Sequence, residues 1–231
     1  YASKKYFYSS QNTKWTYNDE NMHITQKISI IKKNAANAQL VVVTKHQSVD
    51  VIRQVYKHGE KNFGENRVQD LIKKANQLPK DIKWHMIGHL QKNKVKYIAP
   101  FIYMIQSVDS IELLEKINKE AKRNNRRIKC LIQYKISNAK NKFGFTKDEI
   151  EKLFNYDYYN NYNYVQIEGL MAMASFTNNK IEIENEFKKI YELFQQIKPS
   201  KKILSIGMSN DYKIAYKLGS TMVRIGSFIF N

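Results

Sequence analysis

The chain has 231 residues, enough for one domain with a full hydrophobic core. No stretch approaches the roughly 20 apolar residues that a transmembrane helix needs, and the Tyr-rich start lacks the apolar block of a secretory signal. The single cysteine, Cys130, excludes an internal disulfide and suits a reducing compartment, so we expect a cytosolic protein.

The formal charge of +18 suggests nucleic-acid binding, because basic side chains neutralise phosphates. Only six of the 39 basic residues are arginines, however, whereas bidentate recognition of bases and phosphates favours Arg. The lysines are spread along the chain, and the one dense patch, KRNNRRIK at residues 122–129, is typical of a helix C-terminus. Nucleic-acid binding is therefore the weakest of the functional alternatives.

The predicted elements begin after a stretch without regular pattern. Residues 1–19 carry no sustained apolar periodicity and are predicted to be a poorly ordered extension, with one domain over 20–231. From about residue 21, short apolar runs alternate with longer amphipathic stretches, as in βα units around a parallel sheet. Eight strands alternating with helices favour a single closed (β/α)8 TIM barrel over an open doubly wound sheet. The strands are predicted at residues 40–45, 62–64, 83–87, 104–106, 129–134, 166–170, 202–205 and 221–224.

Between the strands, helical periodicity is clearest at residues 111–124, where Ser110 is a candidate N-cap. Two segments interrupt the regular alternation. Residues 137–144 (SNAKNKFG) are predicted to form a basic turn in which Gly144 can adopt a positive φ. Residues 154–164 (FNYDYYNNYNY) are predicted to form a lengthened surface loop.

The first candidate functional residue is Lys45, which follows the run LVVVT at the end of the first predicted strand. In a barrel of this kind the C-terminal strand ends form the active face. We expect burial there to favour the neutral amine, a nucleophile that forms Schiff bases with aldehydes. A lysine that merely ends a strand is the simpler interpretation of this residue taken alone.

Two Gly/Ser turns follow the seventh and eighth predicted strands, where barrels commonly hold phosphate. Gly207 and Gly226 allow the backbone to approach an anion closely, and Ser209 and Ser227 add hydroxyl donors. Ser209 is also predicted to cap the next helix, whose first N–H groups favour phosphate. Turn formation alone explains each glycine, but two such turns at adjacent strand ends favour an anion site.

Polar residues on the eighth predicted strand and after the second and third strands complete the candidate site. Arg224, on the last predicted strand, keeps its proton at neutral pH and can donate to a ligand nitrogen such as that of a pyridine, with a salt bridge as the alternative. Asn66 and His89 are predicted at the barrel mouth. His85 is predicted to be a core histidine, and a strand end between His85 and His89 argues against a zinc pair.

Seven motifs in chain order carry a resemblance to a known family: VVVTK, FGENRVQD, WHMIGHLQKNK, QSVDS, GLMAM, SIGMSND and GSTMVRIGSFIF. Together they closely resemble the pyridoxal phosphate (PLP) homeostasis protein family, also described as alanine racemase N-terminal-like barrels. The resemblance runs over residues 40–230, most of the chain. It implies a single PLP-binding barrel of the alanine racemase N-terminal type, without the second β domain.

Carried over by position, the resemblance also implies the cofactor contacts. Lys45 matches the lysine that forms the Schiff base with PLP. Arg224 matches the residue beside the pyridine nitrogen, where such a donor weakens the ring as an electron sink. The other expected contacts are the phosphate-binding Ser209, Gly226 and Ser227 and the pocket-lining Asn66, His89, Met173, Ser205 and Met208.

The resemblance implies a cofactor carrier that stores or buffers PLP or delivers it to apo-enzymes, as a monomer or weak dimer and without robust catalysis. The first alternative is a PLP-dependent amino-acid racemase or lyase. Racemisation needs a proton donor on each face of the substrate carbon, so a residue such as His89 would have to supply the second one. Nucleic-acid binding remains the second alternative.

Overall fold

The computed structural model of the protein describes residues 23–136, 143–155, 162–197 and 203–231. The predicted extension at 1–19, most of the 137–144 turn and most of the 154–164 loop lie outside these residues. Gly144, which is described, has a φ of 132°, as the predicted turn requires.

Eight parallel strands of the described residues, β1 to β8 in chain order, form one closed barrel in which β8 pairs with β1. Each strand overlaps the one predicted from the apolar runs, so the predicted (β/α)8 barrel is confirmed. The strands are β1 Gln39–Val43, β2 Asn62–Glu65, β3 Lys83–Met86, β4 Met104–Val108, β5 Ile128–Gln133, β6 Val165–Met171, β7 Ile203–Ser205 and β8 Met222–Ile225.

Two strand ends differ from prediction in a way that affects the candidate site. β1 ends at Val43, so Lys45 lies in the turn after the strand and not on it. β4 continues to Val108, with a shift in its register against β5 between Ile105 and Val108. Val108, at the end of this extension, pairs with Ile132 of β5 and is fully buried in the core between barrel and helices.

The helices of the described residues lie between the strands and around the barrel. Ser110 caps α5 as predicted, because its Oγ accepts a hydrogen bond from the backbone N–H of Leu113 at 3.3 Å. Within the described ranges, no helix combines the length and the apolar character needed to cross a membrane. The helices are α1 Ile24–Asn34, α2 Val49–Lys57, α3 Val68–Gln77, α4 Val95–Ile98, α5 Ile111–Arg123, α6 Lys147–Asn155, α7 Lys180–Gln196, α8 Tyr212–Lys217 and α9 Ser227–Phe230.

The core has two layers that follow from the alternation of side chains along the strands. Inside the barrel, Val41 packs with residues of four other strands, Met104, Leu131, Met171 and Met222. Between barrel and helices lies the larger layer, to which the next residue on β1, Val42, belongs. Side chains of one strand therefore alternate between the barrel interior and the helices.

The basic patch at residues 122–129 contains the end of a helix, as predicted. α5 ends at Arg123, whose Nη1 lies 2.9 Å from Glu120 Oε1. Arg126 donates from Nη1 to Ala99 O at 2.6 Å and from Nη2 to Ile102 O at 2.9 Å. Part of the positive charge of the patch is thus committed to contacts within the protein.

Candidate functional site

The predicted site residues all lie at the C-terminal end of the barrel, on strands β1, β2, β3, β6, β7 and β8 or in the loops that follow them. This placement follows from the topology, since the C-terminal ends of parallel strands meet at one end of a barrel. They are Lys45, Asn66, His89, Met173, Ser205, Met208, Ser209, Arg224, Gly226 and Ser227.

Lys45 is exposed in the turn between β1 and α2, next to His46, which has a positive φ of 66°. The expected burial of Lys45 was therefore wrong. The strand ends two residues earlier, and the amine is carried out to the rim of the barrel. Among the described residues, Lys45 makes no hydrogen bond or ion pair with its side chain, so its amine is available to a ligand.

A buried polar cluster lies directly beneath this turn. Thr44 Oγ1 donates to Glu65 Oε1 at 2.5 Å, and Lys74 Nζ donates to the same oxygen at 2.6 Å and to Thr44 O at 2.8 Å. The side chains of Lys74 and Glu65 are only 10% and 1% exposed. Because α3 supplies Lys74, the cluster ties the ends of β1 and β2 to that helix.

Arg224 is buried inside the barrel and held by its neighbours. Its Nη1 donates to Ser205 O at 2.7 Å and to Ser205 Oγ at 2.6 Å, and its Nη2 donates to Ala172 O at 2.9 Å. Burial lowers the pKa of Arg224 to about 10, although the charge of Asp211 acts in the opposite direction. The guanidinium therefore remains protonated at neutral pH.

A chain of buried side chains continues from Ser205 towards the other end of the barrel. Ser205 Oγ donates to Gln106 Oε1 at 2.7 Å, and Gln106 Nε2 lies 2.9 Å from His85 Nδ1. His85 Nε2 lies 3.2 Å from Asn62 Oδ1. His85 is thus a core histidine with hydrogen-bond partners, as predicted, whereas the part played by Gln106 was not foreseen.

We expect His85 to make the stability of the protein depend on pH. Burial, assisted by the charges of Lys83 and Lys129, lowers the pKa of His85 to about 3. An exposed histidine in the unfolded chain titrates near about 6.5. Between these values the unfolded chain binds a proton that the folded protein does not, so acidification from about pH 6.5 to about 3 lowers the free energy of unfolding.

The expected contribution of His85 is about 1.4 kcal/mol per pH unit within this window. Urea unfolding of the wild type and of His85→Gln at several pH values between about 4 and 6 measures it. The stability difference between the two proteins should change by that slope. A difference that stays constant with pH would contradict the prediction.

The loop after β7 is held differently from what the sequence suggested. The predicted N-cap role of Ser209 was wrong, because α8 begins three residues later, at Tyr212, after Asp211. Ser209 Oγ instead accepts a hydrogen bond from Phe228 N in α9 at 3.2 Å. Asp211 Oδ1 accepts one from Met208 N at 2.5 Å. The side-chain contact of Ser209 thus joins the two predicted phosphate turns to each other.

Glycine is required in both turns for steric reasons. Gly207 has a φ of 97°, and a Cβ there would lie 2.7 Å from Ala215 Cβ. A Cβ on Gly226 would lie 2.9 Å from Val43 O, at the end of β1. The turn after β8 therefore packs directly against the strand that leads to Lys45.

On the other side of the barrel mouth, His89 is engaged in two contacts. Its Nδ1 lies 2.8 Å from Asp109 Oδ2, and its ring stacks on Phe143 with a centroid distance of 3.8 Å. Asn66, Ser227 and the 40%-exposed Met173 are open to solvent, while Ser205 is fully buried. The structure thus places the ten residues at one end of the barrel but divides them between an open rim and a buried interior.

The chain is similar in sequence to known proteins over most of its length. The family model of the alanine racemase N-terminal domain matches residues 21–231. The chain belongs to that family. Within the family it belongs with the pyridoxal phosphate homeostasis proteins. The protein of that name from Haemophilus influenzae is 35% identical over 90% of this chain and 92% of its own length. The human protein is 34% identical over 85% of this chain and 77% of its own length.

Solved structures of similar proteins have the same fold. PipY of Synechococcus elongatus, solved with PLP bound, superposes with a TM-score of 0.82 at 28% identity over 90% of this chain and all of that one. An alanine racemase from Clostridium difficile superposes with a TM-score of 0.74 at 15% identity, over 56% of its own length. The likeness to the racemase shows a shared barrel and nothing about its reaction.

Proposed function

We propose that this protein binds PLP as a Schiff base on Lys45 and acts in intracellular PLP homeostasis, by storing the cofactor, buffering it or delivering it to apo-enzymes. The observation that carries the proposal is one arrangement at the barrel end. An amine without a partner among the described residues stands on the rim, and a buried guanidinium lies inside. Glycine-dependent turns follow β7 and β8, and the second of them packs against the end of β1. The names of the relatives and the bound PLP of PipY support the same assignment.

The residues present fit the three chemical groups of PLP. The aldehyde needs a free amine, which Lys45 offers. The phosphate needs donors and close backbone approach, which the turns of Ser209, Gly226 and Ser227 offer. The pyridine nitrogen has a candidate partner in Arg224, whose guanidinium is held by Ser205 and Ala172. A cationic donor at that nitrogen keeps it unprotonated, since both cannot donate.

The same arrangement supports a carrier over a racemase or lyase. When bound, PLP supplies an electron sink for carbanions, and an unprotonated pyridine makes that sink weaker. Racemisation also needs a second proton donor opposite Lys45. His89 is the candidate: Asp109 holds its Nδ1 and Phe143 stacks on its ring, so only Nε2 is left to act as that donor. We therefore propose at most weak side activity.

Incubation with single L-amino acids in deuterium oxide separates these two functions. A carrier should leave the α-proton in place, whereas steady exchange at useful turnover would favour the racemase or lyase.

Nucleic-acid binding is tested by titrating random duplex DNA across a salt series. We expect only weak association with DNA that disappears as the salt concentration rises. Sub-micromolar binding at physiological salt would favour the nucleic-acid alternative.

The proposed attachment is tested directly by chemical trapping. The purified protein is loaded with PLP, reduced with borohydride, digested and analysed by mass spectrometry. The reduced phosphopyridoxyl group should be found on the peptide containing Lys45. Labelling of another lysine in its place would overturn the attachment site.

Gly226→Ala tests the phosphate turn. The added Cβ would meet Val43 O, so the turn or the end of β1 must shift. We expect a loss of about 1–3 kcal/mol in stability and a roughly tenfold weaker affinity for PLP, equivalent to about 1.4 kcal/mol. Urea unfolding of the apo-protein and PLP titration measure the two effects.

Gly59→Ala is the matched control. Gly59 follows α2 and has a φ of 96°, but a Cβ there meets nothing within 4 Å. It should cost stability through backbone strain, about 1 kcal/mol, and leave PLP affinity unchanged. Equal loss of affinity in both variants would show that Gly226 acts only through general stability.

A further inference from the structure

Along the chain of buried polar side chains inside the barrel, every hydrogen bond has the same direction from donor to acceptor. The series begins at Arg224, which can only donate hydrogen bonds. The order of contacts is Arg224 Nη1 to Ser205 Oγ, Ser205 Oγ to Gln106 Oε1, Gln106 Nε2 to His85 Nδ1 and His85 Nε2 to Asn62 Oδ1, at 2.6, 2.7, 2.9 and 3.2 Å. We call these five residues the interior relay.

The donor at one end determines the orientation of every group after it. Because Ser205 Oγ accepts from Arg224, its own proton is free to go to Gln106 Oε1. The Gln106 amide then directs its NH2 group towards His85 Nδ1 and also towards Met222 Sδ, 3.2 Å away, a weak acceptor. His85 must accept on Nδ1 and carry its proton on Nε2, where Asn62 Oδ1 receives it.

Because the relay is buried, its hydrogen bonds must be oriented consistently. Ser205, Gln106 and His85 are all 0% exposed. A buried donor or acceptor without a partner is costly, so reversing one member would leave others unsatisfied. Arg224, the end of the relay nearest the barrel mouth, is therefore held by more than its direct neighbours.

We propose that Gln106 and His85 are positioning residues for Arg224, which fix the guanidinium through Ser205 in the orientation that meets the PLP pyridine nitrogen. The inference rests on the proposed function for the identity of the ligand. Neither residue was among the predicted cofactor contacts. Both act through Arg224 and not on the cofactor itself.

The orientation of the relay can be tested without cofactor. In the apo-protein labelled with ¹⁵N-histidine, the His85 ring signals near neutral pH should show a proton on Nε2 and an unprotonated acceptor at Nδ1. A proton on Nδ1 would mean that the Gln106 amide points the other way, and would overturn the relay. This measurement judges the inference even if the protein fails to bind PLP.

The positioning role is tested with Gln106→Met, which keeps the length of the side chain but removes its hydrogen bonds. PLP labelled with ¹⁵N in the ring reports the state of the pyridine nitrogen. We expect the variant still to be trapped at Lys45 by borohydride. Its affinity should be about tenfold lower, and its ring-nitrogen signal should move away from that of the wild type.

Met104→Leu is the matched control, because Met104 lies on the same strand and is buried in the barrel interior outside the relay. It should leave the ring-nitrogen signal unchanged, although it alters packing. If Gln106→Met does not fold, Asn62→Ala at the partly exposed far end of the relay replaces it, with a smaller shift in the same direction.

The outcomes separate the two ideas. Failure of the wild type to form an adduct at Lys45 would refute the proposed function. An adduct in wild type and variant with the same ring-nitrogen signal and the same affinity would refute the positioning role while the proposed function stands. A purely structural role of Gln106 would lower thermal stability without moving the signal.

Discussion

Replacement of Lys45 by alanine should abolish covalent binding of PLP. The variant should lose the visible absorption band of the protein–PLP adduct and the borohydride-trapped product. Its apparent affinity should fall on the order of 100-fold, about 2.7 kcal/mol. Since Lys45 is exposed and makes no contact with its side chain among the described residues, the apo-variant should unfold at the wild-type urea concentration, within about 0.5 kcal/mol.

Thermal unfolding with and without PLP adds a second measurement. A ligand that binds only the folded protein stabilises it by about 2.7 kcal/mol at 100 times its dissociation constant. The wild type should show this shift at a PLP concentration where Lys45→Ala shows almost none. Lys45→Arg is the control for charge, since it keeps the cation without a nucleophilic amine, and it should behave like alanine in trapping. Retention of the adduct in either variant would contradict the proposed Schiff base on Lys45.

The barrel could be predicted from the sequence because each strand carries its own signal. The runs at β1, β5 and β6 consist largely of residues that are now buried on both sides, in the two layers of the core. Helical stretches with one apolar face lie between them, and this alternation permits few topologies. Closure of β8 onto β1 followed from the number of strands.

The ends of the strands were less predictable, and the site depends on them. β1 was expected to reach Lys45, because apolar periodicity shows where a strand packs but not where its hydrogen bonding stops. The cap assigned to Ser209 had a similar origin. A serine before a helical pattern is a common N-cap. The hydroxyl of Ser209, however, accepts its hydrogen bond from Phe228 N, 19 residues away in the chain. Such a contact arises only when β7 and β8 become neighbours.

The sequence carried no local signal for which side chains these supporting residues would contact. Gln106 and Ser205 are 99 residues apart in sequence, and Lys74 meets Glu65 from a different element. A lone glutamine in a strand or a lysine on a helix has many ordinary explanations. Only the folded barrel reveals that these side chains are buried partners. Sequence motifs thus indicated the groups at the mouth, whereas packing determines what holds them.

Loss of the ion pair between Lys74 and Glu65 should lower the free energy of unfolding substantially. In Lys74→Met, the Glu65 carboxylate would remain buried with only the Thr44 hydroxyl as a donor at Oε1, and its Oε2 has no hydrogen-bond partner within the described residues. Breaking a buried pair by removing one partner typically costs about 3–5 kcal/mol. We expect a loss of that size in urea unfolding.

Lys73→Met is the matched control, because Lys73 is the exposed neighbour on the same helix. It should change stability by no more than about 0.5 kcal/mol. The double variant Lys74→Met with Glu65→Gln removes both charges and should recover a large part of the loss, since the penalty comes from the uncompensated carboxylate. No recovery would mean that Lys74 stabilises the protein by packing.

Because Lys74 Nζ also donates to Thr44 O, one residue before Lys45, the single variant Lys74→Met should in addition bind PLP more weakly. Wild-type affinity in the folded fraction would show that the turn of Lys45 holds its shape without the pair.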